Sequence, residues 1–345
     1  MNSFVRALRT PELRTKIFFV LGLLAIYRLG VFIPTPGFDY TNVMICSDQA
    51  MTGDGANVLG MVNMFSGGAL MQLSVFSLGV MPYITASIIM QLLRVVIPRF
   101  EDLHKEGQAG TAKLTQYTRY LTIGLAVLQS TTIITLVRSG NFFVGCALEL
   151  VPDQSMPALL LMGLTMTVGT VLIMFMGEMI TERGIGNGMS LLIFTSIASS
   201  FPASFGQVWS LQGWLTFSLV VLVALVIMVG MVFVEQSQRR IPVQYAKRMV
   251  GRRMYGGTST YIPVKVNQSG VIPVIFASSI LALPQMASSF GDPEASWVQW
   301  VKSNLVLGMS FSWVYAVVYV TLIVFFAFFY TSITFNAEEI ADNMK

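Results

Sequence analysis

Eight apolar runs divide this chain, and a run of about 20 apolar residues has few places to go except across a lipid bilayer. They lie near residues 17–33, 74–97, 119–137, 157–176, 189–203, 215–234, 270–290 and 313–335, and the shortest, 189–203, is expected to end at Pro202. Hydrocarbon offers no water to backbone amides, so each crossing is expected to be helical. Charged residues make up only 11% of the chain, against about 25% in a soluble domain, and the mean hydropathy is +0.69. The expectation is an all-α polytopic membrane protein. The basic start leads into a full span without a small-residue cleavage site, so the first helix is expected to insert and stay.

A further stretch, 58–73, is apolar but too short to cross, and Gly67 and Gly68 interrupt it. It reads as a re-entrant half-helix leading into the span 74–97. Pro82 lies within that span and is expected to break its hydrogen bonding, so the region should face protein or a cavity rather than lipid. A half-helix followed by a proline-bearing span is a common way to build a pore or binding site at mid-membrane.

Of the 21 Lys and Arg, all but Arg28, Arg138 and Lys302 fall on one side of this topology, counting Arg119 with the loop before the third span. The positive-inside rule makes that side cytoplasmic, and puts both ends there. Cys46 and Cys146 fall in loops on the other side, where a disulfide is possible in an oxidising exterior but is not established by two cysteines alone. His104 sits in a charged cytoplasmic loop and cannot by itself hold a metal. The glycine-rich stretch 183–190 lacks the strand and the Lys-Ser/Thr of a phosphate cradle and reads as a tight turn.

The spans hold almost no ionisable groups, which counts against ion-coupled transport, and Arg28 is placed where it can snorkel to the interface. Neutral polar residues such as Thr85, Gln129 and Asn267 are counted within the membrane, where helix–helix hydrogen bonding is their ordinary use. No nucleophile–base pair, metal-ligand spacing or Walker-type loop accompanies them, so an enzyme is not expected. Residues 80–89 and 271–280 match at six of ten positions, and the two copies would run in opposite directions, as in an inverted repeat. Val80 and Ile84, Met189 and Ile193, and Val271 and Ile275 share an i, i+4 spacing. Such pairs are either ordinary packing or an apolar ring that closes a pore by dewetting.

The loop 235–267 is 33 residues long and carries paired Arg239 and Arg240, Lys247 and Arg248, and Arg252 and Arg253. Its Val, Tyr and Ile residues on both sides of glycines suggest a hairpin. Attraction to anionic lipid accounts for some of this charge; docking of RNA or an acidic protein face is the alternative.

Several long motifs, in order, resemble the SecY family, the channel subunits of the bacterial Sec protein translocase. They are NMFSGGAL (63–70), LGVMPYITASIIMQLL (78–93), QYTRY (116–120), GEMITERGIGNGMS (177–190), VEQSQRRIPVQYAKR (234–248), KVNQSGVIPVIFASSI (265–280) and FFYTSITFNAEEIADN (328–343). The resemblance implies an inverted-repeat helical bundle, with residues 1–203 as one half and 204–345 as the other, incomplete one. It implies a passive channel for unfolded secretory proteins and membrane helices, without cofactor or metal. The plug would be 58–70, including Asn63, Met64, Phe65, Ser66, Gly67 and Gly68. Val80, Ile84, Met189, Ile193 and Ile275 match the pore ring, and Thr85, Gln129 and Asn267 match the lateral gate. Arg239, Arg240, Lys247, Arg248, Arg252 and Arg253 match the docking site for the ribosome and the SecA motor. The implied partners also include SecE, SecG, signal peptides, nascent chains and membrane lipids, in a bacterial cytoplasmic membrane. The family has ten spans, whereas these residues stop at Lys345 after the eighth; either a fragment or a shortened form is expected, lacking the sixth ring residue and a second docking loop. The runner-up reading is a secondary transporter of a small solute.

Overall fold

Each of the eight apolar runs carries a helix, as backbone groups shut away from water require. The computed structural model describes residues 10–52, 63, 66–140, 142–143, 146, 148–243, 248–250, 253–255, 260–290, 295–305 and 312–334. In order come α1 (Pro11–Val31), α2 (Tyr40–Thr52), α3 (Met81–Val96), α4 (Pro98–Lys105), α5 (Gln108–Arg138), α6 (Met156–Arg183) and α7 (Gly188–Gln236). Four short strands follow: β1 (Gln238–Val243), β2 (Arg248–Val250), β3 (Arg253–Tyr255) and β4 (Thr260–Lys265). Then come α8 (Ile272–Phe290), α9 (Ser296–Asn304) and α10 (Trp313–Thr334). Among the described residues, four helical stretches are long and apolar enough to cross a membrane: Gln108–Arg138, Met156–Arg183, Gly213–Gln236 and Trp313–Ser332.

Three sequence expectations are corrected. Pro82 does not break the interior of a span; it is the second residue of α3, where a missing N–H costs nothing. Residues 74–80 before it are turns rather than helix. Pro202 does not end its run either, because α7 continues through it to a break at Gly213, whose φ is 75°. The Ser199 and Ser200 hydroxyls bond the Ser196 and Ile197 carbonyls just ahead of that proline. Arg119 lies not in a loop but within α5, where its guanidinium grips Glu178 of α6 through two parallel bonds of 2.9 and 2.8 Å. A fork-to-fork pair of this kind fixes register as well as distance between two helices.

The local geometry of the internal echo recurs. Gly79 and Gly270, each one residue ahead of the matching decapeptides, have φ of 57° and 58°. A helix begins two residues later in both copies, with Pro82 and Pro273 each in second place. The Ile84 and Ile275 amides bond the Val80 and Val271 carbonyls in turn. A positive φ suits glycine, so glycine then proline makes a sharp, pre-set entry into each helix.

The chain separates into two compact units, Met1–Ala203 with Ser279–Val318, and Ser204–Ser278 with Tyr319–Lys345. In the first, α3 packs on α5, α5 on α6 and α1 on α6. Gly30 of α1 meets the Phe76 ring and Gly169 of α6 meets the Val75 carbonyl so closely that a side chain at either would collide. Small residues thus let two helices close on the irregular segment 74–80, as small residues do at helix contacts in membranes. The segment's own backbone is tied to the residues after α1: Thr35 N–H donates to the Leu73 carbonyl and Val75 N–H to the Ile33 carbonyl, at 3.2 and 3.0 Å. In the second unit, β1 pairs antiparallel with β4, and β2 with β3, giving the hairpin expected of the basic loop.

Cys46 of α2 and Cys146 of the α5–α6 connection form a disulfide with Cα atoms 5.5 Å apart, closing a loop of 100 residues. Hydrogen bonds flank it, from Asp39 N–H to the Leu150 carbonyl at 3.0 Å and from Asn42 Nδ2 to the Glu149 carbonyl at 2.9 Å. Val43, Phe142, Phe143, Leu150 and Val151 pack around the bridge together with Leu70, Met71 and Leu73. The cross-link therefore fastens α2 to the far connection over the segment that carries the glycine corner. Replacing both cysteines with serine is expected to lower the thermal midpoint in detergent, the loss corresponding to roughly 2–4 kcal/mol. An unchanged midpoint, or free thiols in the native protein, would contradict the bridge.

Candidate pore and plug

Four of the five sequence-predicted ring residues meet in one apolar cluster. Val80 lies at its centre, 1% exposed, and Ile84, Met189 and Ile193 pack against it half-buried. Val80 and Ile84 come from the entry to α3, and Met189 and Ile193 from the first turns of α7. Val20, Leu23, Tyr27 and Val31 of α1 and Ile173, Met176 and Ile180 of α6 complete the cluster. Met189 leans on α6, where a side chain at Gly177 would strike its sulfur. The Asn187 carboxamide oxygen accepts the Met189 and Ser190 amides at 3.0 and 3.3 Å, so the glycine-rich turn caps α7 as a turn rather than cradling phosphate. Ile275, in the second unit, is half-buried near the start of α8.

The candidate plug enters this cluster through Ala69, which is fully buried. Of the plug residues, Met64 and Phe65, like 58–62, lie outside the described residues. Asn63 closes the segment on itself: its carboxamide oxygen accepts the Met71 amide at 3.1 Å, and its carbonyl accepts the Gly68 amide at 3.0 Å. The Ser66 hydroxyl donates to the Asn63 carbonyl and accepts the Leu70 amide. Gly67 and Gly68, with φ of 68° and 94°, form the corner, and residues 67–73 are turns rather than helix. Leu73, fully buried with φ of 45°, is an L-residue held in the left-handed region where the segment turns toward α3. Among the described residues, four buried side-chain oxygens have no hydrogen-bond partner: Thr35 Oγ1, Gln72 Oε1, Ser74 Oγ and Ser77 Oγ.

Sequence reasoning missed what holds this corner. Arg28 does not snorkel away; its Nη1 donates to the Gly67 carbonyl at 2.8 Å and to Ser199 Oγ of α7 at 2.9 Å. One turn of hydroxyls supports it. Ser199 donates to the Ser196 carbonyl and Ser196 to the Leu192 carbonyl, so the Tyr27 hydroxyl, 2.7 Å away, is the donor to Ser196 Oγ. The legible signal was the one arginine within the apolar run 17–33, opposite serines spaced i, i+3 on another helix.

The gate and docking residues are distributed as follows. Thr85, half-buried on α3, spends its hydroxyl on the Met81 carbonyl of its own helix, and Gln129 is half-buried on the neighbouring α5. Asn267 is not within a span but on the turn before α8, donating to Glu235 at 3.0 Å and accepting the Gly270 amide at 3.1 Å. Arg239 and Arg240 lie on β1 opposite Val264 and Pro263, and the Arg240 guanidinium stacks 4.8 Å from the Tyr261 ring. Arg248 and Arg253 begin β2 and β3, while Lys247 and Arg252 lie outside the described residues.

Comparison with known proteins accords with this architecture. The SecY family profile matches residues 74–345. The protein translocase subunit SecY of Streptomyces coelicolor is 56% identical over the whole of this chain and 79% of its own length. The corresponding subunit of Mycobacterium tuberculosis H37Rv is 54% identical with the same coverage. Among solved structures, a protein-conducting channel aligns with a TM-score of 0.53 at 15% identity, over 80% of this chain and 60% of that one. Sec61 in the canine ribosome–channel complex from the endoplasmic reticulum aligns with a TM-score of 0.50 at 14% identity, over 80% and 61%. The chain thus spans about three fifths of those solved channels, and their likeness carries the fold: a multi-pass, helical membrane protein. With most of its length matched by the profile and all of it aligned to translocase subunits, the chain belongs to the SecY family, which is not an enzymatic one.

Proposed function

We propose that this chain is the pore-forming subunit of a bacterial Sec translocon, conducting unfolded secretory proteins across the cytoplasmic membrane and releasing membrane helices sideways into lipid. The observation that carries the reading is the single apolar cluster joining Val80, Ile84, Met189 and Ile193 to Ala69 of the plug. A narrow apolar constriction excludes ions by dewetting, while yielding to a polypeptide that can slide past side chains. Ile275 joins the ring by the resemblance of its decapeptide to that of Ile84. By the resemblance, the halves 1–203 and 204–345 part at the lateral gate, with Thr85 and Gln129 on one side and Asn267 on the other. SecE and SecG complete the complex, and the ribosome or SecA supplies the driving energy.

The basic loop is the docking surface, with the amino terminus on the same cytoplasmic side. Its two-stranded β1–β4 ladder holds Arg239 and Arg240 on opposite faces, and the Tyr261 ring orders Arg240 for a planar anionic partner. Ribosomal RNA and acidic faces of ribosomal proteins or SecA have that chemistry.

Replacing Ile84 and Ile275 together with asparagine is expected to make the resting full-length channel leak ions in planar bilayers. Unchanged conductance would remove these residues from the constriction. Reversing Arg252 and Arg253 to glutamate is expected to weaken ribosome or SecA binding most at low salt, where screening is least, while membrane insertion stays normal. Binding that is the same at low salt would leave lipid attraction as the use of the loop's charge.

A further inference from the structure

We propose that Arg28 is a positioning residue for the plug: its guanidinium latches the Gly67 corner to α7 in the closed channel and must let go before the channel opens. The inference rests on reading residues 63–70 as the plug of a protein channel, and names what holds it shut.

A guanidinium within a membrane helix ordinarily seeks a carboxylate or the interface. Among the described residues no carboxylate pairs with Arg28; its guanidinium donates instead to a plug carbonyl and a serine of α7. One nitrogen, Nη1, bridges the two, and beside it the Tyr27 hydroxyl of α1 lies 3.5 Å from the Ser66 carbonyl and 2.7 Å from Ser196 Oγ, so plug, α1 and α7 meet at one polar corner. The fit depends on glycine at 67. Its left-handed φ of 68° suits no ordinary side chain, and a Cβ there would crowd Arg28 Nη1 at 3.1 Å and the Ser196 backbone at 3.2 Å. The helix C-terminus also favours a cation in the last turn of α1, which explains a basic residue there but not where its nitrogen points.

The segment beyond the latch is poorly provided for. Leu73 is held at φ 45°, and the orphaned oxygens of Gln72, Ser74 and Ser77 lie on either side of it in sequence. Strain and unpaired polar groups lower the cost of moving a segment, so its closed position depends on what grips its other end. A hydrogen bond to a charged group shifts an equilibrium by roughly tenfold to a hundredfold, enough for one residue to set how often such a plug is out of place.

The test uses the full-length protein in planar bilayers, with Arg28→Met keeping the apolar stem and Arg28→Lys keeping charge and donor. Arg28→Met is expected to raise the resting ion conductance about tenfold or more, with Ser199→Ala giving a smaller rise of the same sign and Arg28→Lys restoring most of the seal. In parallel, Met64→Cys, alone reactive because Cys46 and Cys146 are bonded to each other, should react faster with a water-soluble maleimide in the Arg28→Met background. A merely structural arginine would lower the thermal midpoint without raising either signal. If Arg28→Met and Ser199→Ala leave conductance and labelling unchanged while the polar ring variant leaks, the latch is wrong and the channel stands. If the ring variant is also silent, the channel reading and the latch fall together.

Discussion

Backbone polar groups cannot go unpaired in hydrocarbon, and among the described residues the segment 67–80, just before α3, departs from helix within an apolar stretch. The packing of the first unit follows from that departure. Leu73, Ser74, Ser77 and Val80 are almost completely buried, wrapped by α1 and α6 at glycine contacts. The extended residues after α1 supply acceptors and donors that a helix would have supplied internally. A proline at the second position of α3 then restarts regular structure where its lost N–H is free. The irregular stretch places the glycine corner beside the apolar cluster.

In the proposed channel, seal and control are built from different chemistry. The Val80, Ile84, Met189 and Ile193 cluster is held by contact area, which is insensitive to direction and lets side chains slide. The corner above it is held by a few directional bonds: Asn63 and Ser66 shape it, and Arg28 fastens it. Apolar contact is lost gradually as surfaces separate, whereas a charge-assisted bond is either made or broken. A threshold for opening is better set by the second kind. The Cys46–Cys146 bridge adds a third, covalent element by fastening α2, which leads toward the plug.

Much of this was legible in the sequence and some was not, for identifiable reasons. Each of the eight hydrophobic runs carries helix because burial in lipid demands length and composition, both countable, whereas α2, α4 and α9 lie outside those runs. Spacing of i, i+4 and family motifs singled out Val80, Ile84, Met189 and Ile193, which the structure brings into one cluster, although spacing alone could not separate packing from a pore. Pro82 and Pro202 misled in opposite directions: proline is free in a first turn and survives inside a membrane helix, and the flanking residues do not announce which applies. Gly79 and Gly270 extend the internal echo by one residue that the sequence already matches; what it could not show is that both take the same left-handed φ. Arg28, Asn267 and the cysteines were hidden because their partners lie 32 to 171 residues away in the chain.

The central claim is that the apolar cluster is the path of a polypeptide. Its most direct test places a photoreactive side chain at Ile84 in the full-length protein, with a second at Leu164, an exposed position of α6, as the lipid-facing control. A secretory polypeptide is then arrested in transit. The account predicts cross-links from position 84 to the arrested polypeptide and from position 164 to lipid alone. Cross-links from position 84 to lipid only, with the polypeptide demonstrably arrested in the complex, would contradict it.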